Sequence, residues 1–195
     1  MGDRPGLEEF LDEILDGGID VVQLRDKNAD ARRQVELAQT FRAACDRHEA
    51  LFIVNDRVDV ALAAEADGVH LGQDDLDPYQ ARKLAGHHII IGRSTHTRDD
   101  IERSTAEPID YIAVGPVYET PTKPGRPAVG LGLLQFAAQT ATSPWFAIGG
   151  VDETTLGDVL AAGATRVVVV RAITEAGDSS KATQALREII DRVHV

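Results

Sequence analysis

Six short polar clusters punctuate this 195-residue chain, each close behind an apolar run. They are Gln23-Leu24-Arg25-Asp26-Lys27, Asn55-Asp56, His70-Leu71-Gly72-Gln73-Asp74-Asp75, Ser94-Thr95-His96, Thr120-Pro121-Thr122-Lys123 and Gly149-Gly150. Arg25 and Lys27 offer cationic donors suited to phosphate oxygens, although a triplet of this kind also serves as an ordinary solvated loop. Asp56 and Asp75 each stand where a helix begins, so each is also a candidate helix N-cap. Together they supply two hard carboxylates from neighbouring strands. That donor set suits a Mg²⁺ ion shared with substrate phosphates rather than one caged by protein. Gly149-Gly150 reads either as a tight strand-to-helix turn or as a backbone cradle for a phosphate, which Val170-Arg171-Ala172 would complete. One cysteine and no histidine pair within the polar clusters argue against zinc, and His70 and His96 read more simply as structural.

Clusters so placed need elements that carry them to one face. Val21 to Leu24, Leu51 to Val54, Val69 to Leu71, Ile89 to Ile91, Tyr111 to Val114, Trp145 to Ile148 and Val167 to Val170 are short β-branched runs that predict strands. Most lack strict alternation, as expected of parallel strands buried on both faces. Helical spacing follows each run: Val35, Leu37, Ala38, Phe41 and Ala44 after the first, and Leu156, Val159, Leu160 and Ala161 after the sixth. Gly17-Gly18, Gly68 and Gly163 stand where a helix ends before a strand, the usual place of a glycine C-cap. No linker or low-complexity segment separates the units, so residues 1–195 are expected to form one domain, either a closed (βα)₈ barrel or an open doubly wound sheet. Leu7, Phe10, Leu11, Ile14 and Leu15 predict an amphipathic helix ahead of the first strand. In a closed barrel this would be the first helix. The expected architecture is therefore an α/β (βα)₈ TIM barrel apparently lacking its first strand in this chain, with a seven-stranded or open arrangement as the alternative.

Composition removes several function classes. With 32 acidic and 20 basic residues the formal charge is -12, which repels nucleic-acid phosphates and anionic membranes. Small anions can still bind where local cations and backbone N–H groups outweigh that field. Cys45 stands alone, so no intramolecular disulfide forms, and no apolar run approaches the ~20 residues of a membrane span. With a polar start from Met1 to Gly6, the expected location is the cytoplasm.

From about Leu7 to Ile173, these segments resemble the thiamine phosphate synthase family. The pieces that carry the resemblance are Gln23-Leu24-Arg25-Asp26-Lys27, Val54-Asn55-Asp56-Arg57, Asp67-Gly68-Val69-His70-Leu71-Gly72-Gln73, Gly115-Pro116-Val117, Thr120-Pro121-Thr122-Lys123-Pro124 and Ala147-Ile148-Gly149-Gly150. The resemblance implies a TIM barrel that joins hydroxymethylpyrimidine diphosphate to hydroxyethylthiazole phosphate, giving thiamine phosphate and pyrophosphate. It also implies a dissociative route in which pyrophosphate leaves before the thiazole nitrogen attacks. By the same resemblance, Asp56 and Asp75 would hold Mg²⁺, and Arg25, Lys27, Asn55, Ser94 and Lys123 would face the diphosphate. Gln23 would bond the pyrimidine, Thr120 and Thr122 would line the thiazole side, and backbone at Gly150, Val170 and Arg171 would take the thiazole phosphate.

Two departures stand out. Arg171 occupies a position where the family commonly has serine, so either its backbone alone binds phosphate or its guanidinium adds a contact. The absent first strand would leave two barrel edges unpaired, a matter of stability more than of chemistry, because no cluster lies in it. The competing readings are an isomerase or aromatase of thiazole phosphate and a non-catalytic thiazole phosphate-binding protein. Thr120 to Lys123 and the Asp56/Asp75 pair argue against the first, which needs neither a diphosphate clamp nor Mg²⁺.

Overall fold

The computed structural model describes residues 6–120 and 127–193. Seven strands hydrogen-bond in chain order. They are β1 (Val21–Leu24), β2 (Leu51–Asn55), β3 (Gly68–Leu71), β4 (Ile90–Thr95), β5 (Tyr111–Val114), β6 (Trp145–Ile148) and β7 (Val167–Val168). The pairs β1·β2, β2·β3, β5·β6 and β6·β7 are parallel. The expected β/α alternation is therefore present, and the expected amphipathic helix, α1 (Leu7–Asp16), precedes β1. Seven strands are found among the described residues, and an eighth is not. No described helix is long and apolar enough to cross a membrane.

The chain falls into two compact units, Met1–Gly92 and Arg93–Val195. In the first, α2 (Ala31–Arg47) starts at Asp30, whose carboxylate accepts the Arg33 N–H at 2.8 Å. Its buried stripe of Leu37, Ala38, Phe41, Ala44 and Cys45 follows helical spacing. Phe41 stacks on Phe52 of β2 with ring centroids 5.6 Å apart, a pairing worth about 0.5–1.5 kcal/mol beyond its area. Helix α1 buries Phe10, Leu11, Ile14 and Leu15, and Arg47 grips Asp12 at 2.8 and 2.9 Å. The helices α3 (Val58–Ala63) and α4 (Pro78–Ala85) follow β2 and β3.

The glycine expectation divides. Gly18 and Gly163 take left-handed φ values of 102° and 100° at helix ends. Gly68 instead opens β3, and Glu65 is the left-handed residue there, at φ 50°. Gly68 is needed for space: a Cβ would stand 2.6 Å from both Ile53 Cδ1 and the Ile90 carbonyl oxygen.

In the second unit, α5 (Arg98–Ser104) begins with a reciprocal capping box between Thr97 and Asp100. It is followed by α6 (Leu131–Thr140), α7 (Leu156–Ala161), the short α8 (Arg171–Thr174) and α9 (Ser179–Val193). Two expected strands change length. β4 extends to Thr95, whose carbonyl accepts the Gly115 N–H at 3.1 Å, so Ser94 lies within the strand. β7 stops at Val168 because the chain turns into α8, where the Val170 carbonyl accepts the N–H groups of Ile173 and Thr174 at 3.1 and 2.9 Å.

Candidate functional site

The first unit gathers charge at the carboxyl ends of β1 to β3. Parallel register sets Gln23 level with Ile53, and Asn55 level with His70. Gln23 is half-buried on the face opposite Val22 and Leu24, while Asn55 and His70 are buried. The loop after β1 is tied from behind. Buried Gln34 donates to the carbonyls of Asp26 and Ala29 at 3.0 and 2.9 Å, and the Asp26 carboxylate accepts the N–H groups of Asn28 and Ala29 at 3.0 and 3.1 Å. This fixes the segment that carries Arg25 and Lys27. The Arg25 Nε is buried with no hydrogen-bond partner in the structure, which is costly for a guanidinium unless an anion completes the set.

Asp56 is not a helix cap. Arg57 holds the cap position of α3 without a side-chain capping bond, and α4 is capped by Asp77 rather than Asp75. Asp56 sits instead in the left-handed region at φ 63°, its N–H donated to the His70 carbonyl at 2.8 Å. Such a conformation is uncommon outside glycine and marks a position held by its surroundings. Lys27 Nζ lies 2.9 Å from Asp56 Oδ2. Asp75 Oδ2 accepts the Gly72 N–H at 2.6 Å. Burial, and then a hydrogen bond shared with Asp56, push the Asp75 carboxyl up, against the opposing pull of the Gly72 N–H and Lys27. Two facing carboxyls repel when both are ionised, and a divalent cation relieves that repulsion.

No group of three or more His, Cys, Asp or Glu side chains poised for a metal occurs among the described residues. Asp56 and Asp75 alone form the donor pair. That fits Mg²⁺, which keeps several waters and takes its remaining ligands from substrate phosphates.

The second unit holds a cavity of about 480 Å³, within the range of small-molecule sites. Ser94, Thr120, Gly150, Val170 and Arg171 all line it. Gly149 and Gly150 turn there with φ of 105° and 68°. A Cβ on Gly149 would meet Pro116 Cβ at 2.5 Å, and one on Gly150 would meet Tyr118 Cβ at 2.6 Å. The Gly149 carbonyl accepts the Tyr118 N–H at 3.0 Å, and the Gly150 carbonyl accepts the Thr155 hydroxyl at 3.1 Å. With those acceptors engaged by protein donors, the turn can serve an anion through its N–H groups.

The sequence reading is thus partly gathered and partly divided. Lys27, Asp56 and Asp75 come together in the first unit. Ser94, grouped with Arg25 and Lys27 by resemblance, stands on the cavity wall of the second unit. Thr122 and Lys123 lie outside the described residues. Arg171 presents its guanidinium to Glu175, with Nε 2.9 Å from Oε1 and 3.0 Å from Oε2. His96 is both structural and at the site: it lines the cavity, and its Nδ1 bonds the Gly115 carbonyl. A carbonyl only accepts, so Nδ1 carries the hydrogen.

Tyr118, Asp152, Thr155 and Glu175 also line the cavity, and sequence reasoning missed them. A local signal was present for two. Asp152-Glu153-Thr154-Thr155 has Asx-turn spacing, and Asp152 Oδ1 accepts the N–H groups of Thr154 and Thr155 at 2.9 and 3.1 Å. The Thr154 hydroxyl at 2.6 Å, with these N–H groups, holds the Asp152 carboxyl below the usual carboxylate range.

Comparisons with known proteins place the chain among characterised relatives. A family model described as thiamine monophosphate synthase matches residues 3–173. The thiamine-phosphate synthase of Thermobifida fusca is 52% identical over 187 residues, covering 95% of this chain and 86% of that protein. The thiamine-phosphate synthase of Acidothermus cellulolyticus is 51% identical over 184 residues, covering 93% of this chain and 85% of that protein. Among solved structures, thiamine phosphate pyrophosphorylase from Pyrococcus furiosus superposes with a TM-score of 0.90 at 35% identity, covering 97% of this chain and 91% of that one. A 3-hexulose-6-phosphate synthase, 21% identical, shares the fold with a TM-score of 0.67 over 93% of this chain and 94% of its own.

Proposed function

We propose a catalytic reading on one premise, that the chain belongs to the thiamine monophosphate synthase family. It is an enzyme, a transferase of thiamine biosynthesis acting on small molecules. In our reading it joins hydroxymethylpyrimidine diphosphate to hydroxyethylthiazole phosphate, with the whole chain as one catalytic domain of an incomplete (βα)₈ barrel working in the cytoplasm.

The diphosphate is assigned to the first unit. Arg25, whose buried Nε lacks a partner, is the single observation that carries this assignment most strongly. Asp56 and Asp75 would hold Mg²⁺, and bound there the ion would supply positive charge to the diphosphate oxygens. Arg25 and Lys27 add cationic donors, with Asn55 assigned to the same group by resemblance. Gln23, half-buried on β1, orients the pyrimidine.

The methylene C–O bond breaks with its electron pair leaving on pyrophosphate. The pyrimidine methylene cation is then captured by the lone pair of the thiazole nitrogen, which forms the new C–N bond and becomes the positive ring nitrogen of the product. Such a step asks the protein for placement and for stabilisation of charge on the leaving group. Thr120 and Thr122 would face the thiazole. Backbone N–H groups at Gly150, Val170 and Arg171 would take its phosphate, a role supported by the lining of the second unit's cavity.

The test is release of pyrophosphate from the two substrates together. We expect it to require Mg²⁺ and both substrates, with thiamine phosphate formed in equal amount. Binding of thiazole phosphate without turnover would reject the catalytic reading.

A further inference from the structure

Acids that line an anion cavity oppose its ligand, and a cation paired with one of them offsets that charge. Three carboxylates line the cavity of the second unit: Glu119, Asp152 and Glu175. Asp152 has fixed partners, because the Thr154 hydroxyl and the N–H groups of Thr154 and Thr155 all donate to one of its oxygens. Glu175 is held differently, by a single long side chain. Arg171 Nε lies 2.9 and 3.0 Å from the two Glu175 oxygens, and a terminal nitrogen adds a contact of 2.9 Å.

Both partners of this pair are open to water, with side chains 51% and 59% exposed. Exposed pairs are held weakly, since water competes for each charge and two flexible side chains must be ordered. A phosphate dianion offers the same guanidinium more charge and three acceptor oxygens in a geometry that accepts a two-pronged donor. Arg171 and Val170 line the same cavity as Gly150, so a guanidinium released from Glu175 is already at the site where a phosphate would bind.

We propose that Arg171 and Glu175 form an exchangeable clip at this cavity, with Glu175 holding the guanidinium until the phosphate of the thiazole substrate takes it over. The clip rests on the reading of the cavity as the thiazole phosphate site. Glu175 is a positioning residue in this scheme and also a competitor. It keeps Arg171 near the wall, and its charge must be displaced before phosphate is fully bound. Affinity for the phosphorylated thiazole is therefore set by a contest between two anions for one cation.

Steady-state kinetics on the full chain test this with Arg171→Ala, Glu175→Gln and the double variant. Arg171→Ala is expected to raise KM for the thiazole phosphate about fivefold and leave KM for the pyrimidine diphosphate unmoved, as loss of one charge-assisted contact predicts. Glu175→Gln removes the competing charge but keeps the side-chain shape, and should lower that KM about threefold, the scale of one exposed ion pair. In the Arg171→Ala background the Glu175→Gln gain should vanish, which a purely structural role or a general change of field would not produce. The clip is overturned if Glu175→Gln leaves KM unchanged or raises it, or if its gain survives without Arg171. Calorimetry of thiazole phosphate with Gly150→Ala separates the two levels. Wild-type affinity in that variant removes the cavity assignment and the clip with it, whereas weakened binding beside inert Arg171 and Glu175 variants removes the clip alone.

Discussion

In the first unit, Lys27, Asp56 and Asp75 meet through their side chains, whereas in the second the turn at Gly149 and Gly150 offers backbone and little else. The carboxyl pair carries repulsion that a shared proton or a cation relieves. At the glycine turn the carbonyls are bonded to Tyr118 and Thr155, and a neighbouring acid, Asp152, accepts hydroxyl and N–H donors. We expect the first site to depend on Mg²⁺ and the second to take its phosphate without it.

The largest effect is expected at Asp56. Asn tolerates the left-handed backbone, so Asp56→Asn tests charge rather than conformation. Turnover in saturating Mg²⁺ should fall by about a hundredfold or more, the scale of a lost preorganised electrostatic group. A variant within threefold of wild type would remove Asp56 from the metal site. Next in size is Gly150→Ala, whose Cβ would meet Tyr118 Cβ at 2.6 Å on a backbone at φ 68°. It should raise KM for thiazole phosphate by about tenfold or more while Mg²⁺ dependence stays as in wild type. A matching change in the Mg²⁺ requirement would erase the contrast between the sites.

The smallest effect is on stability. The folded-state pKa of Asp75 is raised above its ordinary 3.8, first by burial, so the native chain holds this proton more tightly than the unfolded chain. That contribution is fully present below 3.8 and is lost as pH rises through the raised value. At neutral pH without metal, Asp75 is therefore a liability. Asp75→Asn should melt higher than wild type in EDTA at pH 7, converge with it in acid, and lose the stabilisation by Mg²⁺. A lower melting temperature in EDTA would show that Asp75 supports the fold instead.

Much of this was legible in the sequence, for physical reasons. Strands buried on both faces leave unmistakable apolar runs, as Phe52 to Val54 does, and the polar residues behind them mark one face. The strand boundaries were less legible. Nothing in Ile89 to Ile91 alone says that pairing continues to Thr95, since that depends on a partner at Gly115. Asp56 and Asp75 could not be told from helix caps because N-caps and metal ligands use the same residue types, and the placement of Arg57 and Asp77 sets the cap reading aside. Tyr118 and Glu175 were hidden because cavity walls are assembled by tertiary packing, which leaves no periodic mark. Gly68 misled for a related reason: its small size answers Ile53 and Ile90, residues distant in sequence, and not its own turn.

The contrast between the sites is tested most directly by calorimetric titration of pyrophosphate and of thiazole phosphate into the full chain, each with Mg²⁺ and with EDTA. EDTA should weaken pyrophosphate binding by about tenfold or more, as loss of a cation from a shared metal site predicts, and leave thiazole phosphate within about twofold. Equal sensitivity of the two ligands to EDTA, or insensitivity of both, would contradict it.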